Sequence, residues 1–459
     1  MQHAIIQRIV RGFGANLYGQ GVVLIIQLAG VPILLHYWGV ELYGEWLILF
    51  AIPAYLSITD LGFSQSAAND MTARVGRGDT AGALVVFQSL AVLVYCAGSI
   101  GLIVFTAIIF SIPLNKWMLF SQLPIDDVRW ILWLLGAEVL VRLSDGINFA
   151  GFRSQGEYGF HLSIFFSTLL LQNLALWLVA ANAGKPWLAA AIFLLIRILV
   201  SISVTALLLR RHTALKLGLQ HANVHTLGIL LRPALANLAM PLSMTVNLQG
   251  MILMIGALLG PTAVVTFSTL RTLTRMAAQM IISVSNAVEP EFARAWGLGN
   301  QLLLRQLFVR GLGYSIWLAI AAAILLLTLG DWIVAIWTSG HVTMDRALFG
   351  WLLSSAVASV LWCIALGLLK GGNLHLRASL WFLIASASGV ALAAVFVQLT
   401  GRLADAGIAL LLTDALMAVY LLKAASAHLA IAEAQLLLDA IDPRLLFRSF
   451  IFWNHNVHR

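Results

Sequence analysis

The chain has 459 residues, of which 61% are hydrophobic and only 10% are charged, and its mean hydropathy is +0.93. Soluble domains are roughly half apolar and about a quarter charged, so this composition excludes an ordinary soluble protein. The net charge of +8 is spread over the segments between apolar runs, which argues against nucleic acid as a partner and favours charge that orients the chain in a bilayer. The sequence therefore predicts an all-α integral membrane protein.

Twelve apolar runs follow one another along the chain, each close to the roughly 20 residues that a membrane-spanning helix needs. Arg8 and Arg11 precede the first run, but no small-residue cleavage site follows it, so we expect an uncleaved span. The predicted spans are 15–36, 44–68, 80–110, 130–150, 160–182, 187–209, 234–259, 262–287, 311–336, 347–369, 378–399 and 405–425.

Basic residues indicate how these spans are oriented, because Lys and Arg in short loops favour the cytoplasmic side. With the N-terminus inside, most of them fall in cytoplasmic segments. The outer loops then hold only Lys116, Arg129, Lys185, Arg346 and Arg402. The sequence thus predicts a multi-pass protein with both termini in the cytoplasm.

The chain also repeats itself at an offset of 221 residues. This offset pairs Gly39 with Gly260, Gly76 with Gly297, and Gly78 with Gly299. With six spans per half and the same starting orientation, the repeat predicts two parallel six-helix bundles around a central cavity. We predict bundles at 1–210 and 234–425, a cytoplasmic linker at 211–233, and an amphipathic tail at 426–459 on the inner membrane surface.

The eighth span carries two arginines deep in the membrane. If it enters at Thr262, Arg271 lies roughly 13 Å and Arg275 roughly 20 Å into a core about 30 Å thick. Helical spacing places one polar stripe along this span: Arg271, Arg275, Gln279, Ser283 and Asn286. Guanidinium groups bind phosphate oxygens bidentately, so the stripe predicts a site for an anionic, sugar-bearing substrate. The alternative is that carboxylates on neighbouring helices neutralise the arginines.

The fourth span contains Glu138, Arg142 and Asp145 at i, i+4 and i+7, so both acids are expected to reach Arg142. Such a triad neutralises itself and leaves one carboxylate in excess, a candidate for coupling to H⁺ or Na⁺. Arg197 has no acid within its own helix. It is therefore a second candidate for phosphate binding, and Arg142 is kept as a further candidate at the same site.

Further polar side chains lie within the spans. Asp60 and Asp414 are lone carboxylates and candidates for ion coupling, and Asp414 is also expected to pair with Arg197 or Arg271. A second set offers amides that line a glycan path or join helices: Gln20, Gln27 and Asn247. No catalytic residue, metal site or cofactor is predicted, apart from H⁺ or Na⁺ as the coupling ion.

The N-terminal part resembles a known family. The features that match are the glycines Gly12, Gly14 and Gly19, the segment ELYGEW at 41–46, the Asp60-Leu61-Gly62 triplet and the Gly78-Asp79 pair. They are similar to the polysaccharide-biosynthesis flippases, the O-antigen (Wzx-type) branch of the multidrug/oligosaccharidyl-lipid/polysaccharide (MOP) exporter superfamily.

This resemblance implies a MATE-like protein of the bacterial inner membrane. Its expected activity is to move an undecaprenyl-pyrophosphate-linked oligosaccharide to the periplasmic leaflet by alternating access. The implied partners are that lipid-linked substrate, membrane lipids and other membrane proteins of polysaccharide assembly. Two alternatives stay open: an ion-coupled drug or metabolite exporter of the same superfamily, and a membrane glycan polymerase or ligase. The second is disfavoured because the longest outer loop has only about 20 residues.

Overall fold

The computed structural model describes residues 2–56, 61–112, 120–372 and 374–442. These residues form helices joined by short turns and contain no β-strand. The predicted all-α class is therefore confirmed. By their contacts the residues divide into two compact units. The first comprises Met1–Thr245, Gly260–Val265 and Trp337–His341, and the second Val246–Leu259, Thr266–Ile336 and Val342–Arg459. The bundle and linker boundaries inferred from the repeat stay a prediction.

The first unit is built from eight helices. They are α1 (Gln2–Ala54), α2 (Leu61–Gly76), α3 (Thr80–Ser111), α4 (Ile125–Arg142), α5 (Ser144–Ser154), α6 (Tyr158–Ala181), α7 (Pro186–Arg211) and α8 (Val224–Thr245). Helix α6 packs along α1, α7 along α4, and α2 against both α5 and α8. Met71, Phe87 and Phe152 are fully buried in the core that these contacts form.

The second unit begins with a single π-helical turn. The turn spans Val246–Gly250 and is followed by α9 (Met251–Leu259), α10 (Pro261–Gly297), α11 (Gln301–Trp337), α12 (Arg346–Gly371), α13 (Leu376–Thr400), α14 (Ala404–Leu429) and α15 (Glu433–Ile441). Helix α14 packs against α12 and α13, and α13 also contacts α9 and the π-turn. The predicted amphipathic tail contributes α15, which is joined to α11 by an ion pair of 3.1 Å between Arg305 and Asp439. Residues 443–459 lie outside the described residues.

Nine helices in the described part of the chain are long and apolar enough to cross a membrane. This number is in rough agreement with the twelve predicted spans, because α1 alone contains the first span and the start of the second. The boundaries differ in two places. The second predicted span is divided between α1 and α2, and the fourth is interrupted at Leu143, where α4 ends and α5 begins.

Glycines paired by the 221-residue offset share their backbone conformation. Gly39, where α1 breaks, has φ of 72°, and Gly260, before α10, has φ of 84°. Gly78 and Gly299 have φ of 81° and 62°. Residues other than glycine rarely adopt these left-handed angles, so each pair marks the same local backbone conformation at equivalent positions of the repeat.

The residues that follow Gly78 and Gly299 cap the next helix in the same way. The Asp79 carboxylate accepts a hydrogen bond of 2.8 Å from the backbone N–H of Gly82, at the start of α3. The Asn300 side chain accepts one of 3.0 Å from the backbone N–H of Leu303, at the start of α11. Side-chain oxygens at this position satisfy backbone donors that the first helical turn leaves free.

Candidate functional site

Arg271 lies in α10 and is held by residues of its own unit. Its Nη1 donates a hydrogen bond of 3.1 Å to the backbone oxygen of Asn247, and its Nη2 donates one of 2.5 Å to the Asn247 side-chain oxygen. The guanidinium carbon also lies 5.3 Å from the ring centroid of the buried Phe267. Both contacts restrict the orientation of the guanidinium, and no carboxylate of the described residues forms an ion pair with it.

The π-turn explains how Asn247 reaches Arg271 with two oxygens. A π-turn is a single widened turn of helix, and such turns are frequent at functional sites. Here the turn contains Asn247, and both its main-chain and side-chain oxygens accept hydrogen bonds from the arginine. From the sequence, Asn247 was expected either to line a glycan path or to join helices. The structure shows that it positions Arg271.

Arg275 lies one turn further along α10 and is exposed. Within the part of the chain that the structure describes, it forms no hydrogen bond and no ion pair. Gln279, the next member of the predicted stripe, is half-buried. Ser283 and Asn286 belong to α10 by their backbone, but their side chains lie outside the described residues. The stripe therefore contains one positioned arginine and one with no protein partner among the described groups.

Asp414 of α14 is the acid that influences this pair. It interacts electrostatically with both Arg271 and Arg275, but its ion-pairing distance to either exceeds 4.0 Å. Its two oxygens are instead occupied by neutral donors of α12, the Ser355 hydroxyl and the Trp362 indole N–H, the latter at 3.0 Å. The expected direct pair with Arg271 is therefore not formed. Two arginines and one acid leave a net positive charge of one at this place.

A second charged cluster lies inside the first unit and is centred on Arg197 of α7. Its Nε donates to Glu138 at 2.9 Å, and its Nη1 donates to Asp145 at 2.6 Å. Its Nη2 donates to the side-chain oxygen of Gln172 at 3.2 Å, while the Gln172 amide donates to Glu138 at 3.1 Å. Arg197 is only 2% exposed. A buried charge with this many partners is neutralised by the protein itself.

The prediction that Glu138 and Asp145 pair with Arg142 is wrong. Arg142 is half-buried and forms no hydrogen bond or ion pair with the described residues. The acids reach Arg197 instead because α7 packs along α4, which carries Glu138, and also contacts α5, which carries Asp145. Three of the five N–H groups of Arg197 are then occupied, and two acids already balance its charge, which disfavours its predicted role in phosphate binding.

A groove lies beside this cluster, between α3, α4 and α7. Its volume is about 570 Å³, and its walls are mostly apolar. Ser144 and Ser201 line it and share a hydrogen bond of 2.5 Å between their hydroxyl groups. The groove thus brings apolar surface next to a buried charged cluster in the first unit.

The remaining predicted residues are placed as follows. Gln20 and Gln27 both belong to α1; Gln20 is exposed, and the Gln27 side-chain oxygen is buried with no hydrogen-bond partner in the described residues. Asp60 lies outside the described residues. Gln172 was not predicted from the sequence, because it has no charge to distinguish it from other polar residues of the spans.

Glu45, within the ELYGEW segment at 41–46, is a further residue, for which no structural role was predicted from the sequence. It is fully buried and accepts hydrogen bonds from the backbone N–H groups of Ser121, Gln122 and Leu123 at 2.5, 2.8 and 3.0 Å. The feature of the sequence that could have identified Glu45 was a carboxylate within an apolar segment. These contacts indicate a structural role, because Glu45 of α1 satisfies three backbone donors of the segment that leads into α4.

Comparisons with known proteins were made for both sequence and structure. No family model matches the chain, and no curated protein matches it at a significant level. Among solved structures, an inward-facing multidrug resistance MATE transporter of the MOP superfamily has a TM-score of 0.69 at 16% identity, covering 88% of this chain and 98% of its own. The lipid II flippase MurJ, in an inward closed conformation, has a TM-score of 0.64 at 13% identity, covering 98% and 93%.

A MATE protein in a bent conformation has a TM-score of 0.62 at 16% identity, and the match covers 94% of this chain and 96% of that one. The chain has the MATE-like fold. The match extends over most of this chain and nearly the whole of each solved chain, so it includes residues of both compact units. The predicted fold class is confirmed, and the protein is a multi-pass membrane protein. The Wzx-type branch, which rests on features such as ELYGEW at 41–46, stays a prediction.

Proposed function

We propose that this protein is a flippase that moves an undecaprenyl-pyrophosphate-linked oligosaccharide from the cytoplasmic to the periplasmic leaflet of the bacterial inner membrane. The movement serves the synthesis of a surface polysaccharide, such as O-antigen, exopolysaccharide or capsule, and proceeds by alternating access. The observation that supports this best is the pair of Arg271 and Arg275 on one face of α10, with no carboxylate in contact among the described residues.

The pair suits a pyrophosphate because both phosphates are negatively charged and each presents several acceptor oxygens. Arg271 is already oriented by Asn247, so little rotational freedom is lost when it binds an anion. Arg275 donates no hydrogen bond to any group that the structure describes. Charge-assisted hydrogen bonds from a guanidinium are about twice as strong as neutral ones, so two such groups supply both affinity and position.

The fold supports the class of function. A MATE-like chain of this length resembles solved proteins described as a multidrug resistance transporter and as a lipid II flippase. The second of these is named as a flippase, which is the class of activity that we propose here. Coupling to H⁺ or Na⁺ is assigned to the intramembrane acids. The candidates are Glu138, Asp145 and Asp414, with Asp60 as a fourth.

Reconstitution tests this function. The purified protein is placed in proteoliposomes with a labelled undecaprenyl-pyrophosphate oligosaccharide, and the label that becomes accessible at the opposite leaflet is measured over time. We expect transfer by the native protein and loss of transfer in the double variant Arg271→Ala, Arg275→Ala. The matched control Arg346→Ala, Arg402→Ala removes the same charge from exposed positions and should transfer normally. Full transfer by the Arg271 and Arg275 variant would overturn the proposal.

An ion-coupled exporter of drugs or metabolites is the second candidate. It is favoured by the buried acids Glu138 and Asp145, which share Arg197, and by the fold's likeness to a multidrug resistance transporter. The two functions separate in one assay. An exporter moves a cationic dye across the same proteoliposomes without lipid-linked sugar, whereas the flippase leaves the dye outside.

A further inference from the structure

A basic pocket lies at one end of the first unit, away from the intramembrane charges. It has a volume of about 370 Å³ and is formed where the beginning of α1, the beginning of α6 and the end of α7 meet. Three arginines and one acid line it: Arg8, Arg11, Arg211 and Glu157. The pocket therefore carries a net positive charge of two.

The partners of these side chains show how much of that charge is available. Arg211 donates a hydrogen bond of 3.2 Å to Glu157, and its guanidinium carbon lies 4.6 Å from the ring centroid of Phe160. Arg8 and Arg11 form no hydrogen bond and no ion pair with residues that the structure describes. Two guanidinium groups are thus free to bind an anion, while the third is fixed in position at the pocket wall.

The backbone around the pocket is shaped for the arginines. Gly156 has φ of 80°, and a Cβ there would lie 2.6 Å from the guanidinium carbon of Arg8. A Cβ on Gly159 would lie 2.7 Å from the backbone oxygen of Arg11. A larger residue at Gly159 would push the backbone of α1 away from α6, and one at Gly156 would displace the end of the Arg8 side chain. The two glycines therefore let the arginines of α1 reach the pocket.

The pocket also lies at the head of an apolar surface. Phe160, at the pocket wall, shares one face of α6 with Leu171, Leu174 and Leu178, and these four side chains are between 37% and 64% exposed. Helix α6 has 24 residues and is about 36 Å long, which is enough to cross a bilayer core. A ligand with its anionic group in the pocket would lay its apolar part along this face.

We propose that the pocket binds the phosphate of an anionic phospholipid, with the acyl chains lying along the exposed face of α6. Guanidinium groups match phosphate oxygens bidentately, and basic pockets at the ends of membrane helices attract anionic headgroups. The bound headgroup joins the ends of α1, α6 and α7. This site is separate from the proposed transport site and does not depend on it.

Titration with defined lipids tests the proposal. The purified protein is titrated with dioleoyl phosphatidylglycerol, and bound lipid is counted by native mass spectrometry. The zwitterionic dioleoyl phosphatidylcholine serves as the comparison lipid. We expect the variant Arg8→Gln, Arg11→Gln to bind phosphatidylglycerol at least about tenfold more weakly, because it loses charge-assisted hydrogen bonds. The variant Arg8→Lys, Arg11→Lys keeps the positive charge but lacks the planar guanidinium group. Its affinity for phosphatidylglycerol should therefore fall less.

The control variant Arg210→Gln, Arg294→Gln removes two exposed charges that do not line the pocket and should bind as the native protein does. The proposed site would be overturned if the Arg8→Gln, Arg11→Gln variant bound phosphatidylglycerol as tightly as the native protein does. It would also be overturned if the control variant lost as much affinity as the Arg8→Gln, Arg11→Gln variant. Equal affinity for the two lipids would overturn its preference for anions. Displacement of the lipid by an equal concentration of inorganic phosphate would show a site for soluble anions and overturn the lipid assignment.

Discussion

Arg271 donates hydrogen bonds to both the main-chain and the side-chain oxygen of Asn247, one residue into the π-turn. This relationship joins an irregular backbone segment to an intramembrane charge within one unit. The π-turn therefore supports the arginine, and we expect Asn247 to act by positioning Arg271 rather than by contacting the substrate itself. The first prediction separates these two roles.

Asn247→Ala should lower the rate of transfer in the proteoliposome assay by about tenfold or more, because a hydrogen bond to a charged group contributes about 1.5 to 3 kcal/mol. Asn173→Ala is the matched control, since Asn173 only bonds to a carbonyl of its own helix at 2.9 Å. Transfer by both variants is compared at several substrate concentrations. An unchanged rate in Asn247→Ala would show that Arg271 does not need this support.

Arg275→Gln should reduce transfer without lowering the melting temperature. Arg275 has no hydrogen bond or ion pair among the described residues, so its removal breaks no protein contact of this kind. Thermal unfolding in detergent and transfer in proteoliposomes are measured on the same preparation. A large loss of thermal stability would show that Arg275 has a structural role instead.

Arg197→Met should destabilise the protein by about 3 to 5 kcal/mol, because it leaves Glu138 and Asp145 buried without their cation. Arg142→Met is the matched control and should have a much smaller effect, since Arg142 makes no such contact. Adding Glu138→Gln and Asp145→Asn to Arg197→Met should recover part of the stability. The free energy of unfolding in detergent is the measurement, and similar losses for the two single arginine variants would contradict the assigned partner.

Asp79 should make stability depend on pH. The hydrogen bond from the Gly82 N–H, followed by that from Arg74, lowers the pKa of Asp79 below its usual value. A lowered pKa stabilises the fold above the unfolded value, near 3.9, and this contribution is lost as the pH falls through the folded value. The melting temperature of the native protein should therefore exceed that of Asp79→Asn at neutral pH.

This difference should shrink as the pH is lowered below about 4, where the carboxylate is protonated. Asn300 supplies the comparison inside the same chain, because it caps α11 with a neutral side chain. Asn300→Ala should lower the melting temperature by an amount that does not change with pH. A difference between the native protein and Asp79→Asn that stayed constant to low pH would exclude the carboxylate as its cause.

The fold was largely predictable because its determinants are local. Apolar runs long enough to cross a bilayer require helices, since backbone polar groups have no water to bond with there. The 221-residue offset identified Gly39 and Gly260 as equivalent, and both have positive φ. The π-turn at Val246–Gly250 was not predicted, because hydropathy does not distinguish a widened turn from an ordinary helix.

The candidate site was predicted only in part. Spacing along α10 placed Arg271 and Arg275 on one face, and helical periodicity is enough for that inference. Spacing along the fourth span led to the wrong partner for Glu138 and Asp145, because the i, i+4 rule considers one helix at a time. Gln172 and Glu45 were missed for the same reason, as their contacts come from elements far along the chain.

The sequence by itself determined that the protein is a helical membrane protein, how its spans follow one another, and which charged residues lie inside them. These properties depend on composition and on contacts between near neighbours. Only the tertiary structure decided which charges are neutralised. Arg197 is satisfied by Glu138 and Asp145, whereas Arg275 has no carboxylate in contact among the described residues. Partner choice follows from which helices pack together, because a side chain can pair only with groups that packing brings within a few ångströms.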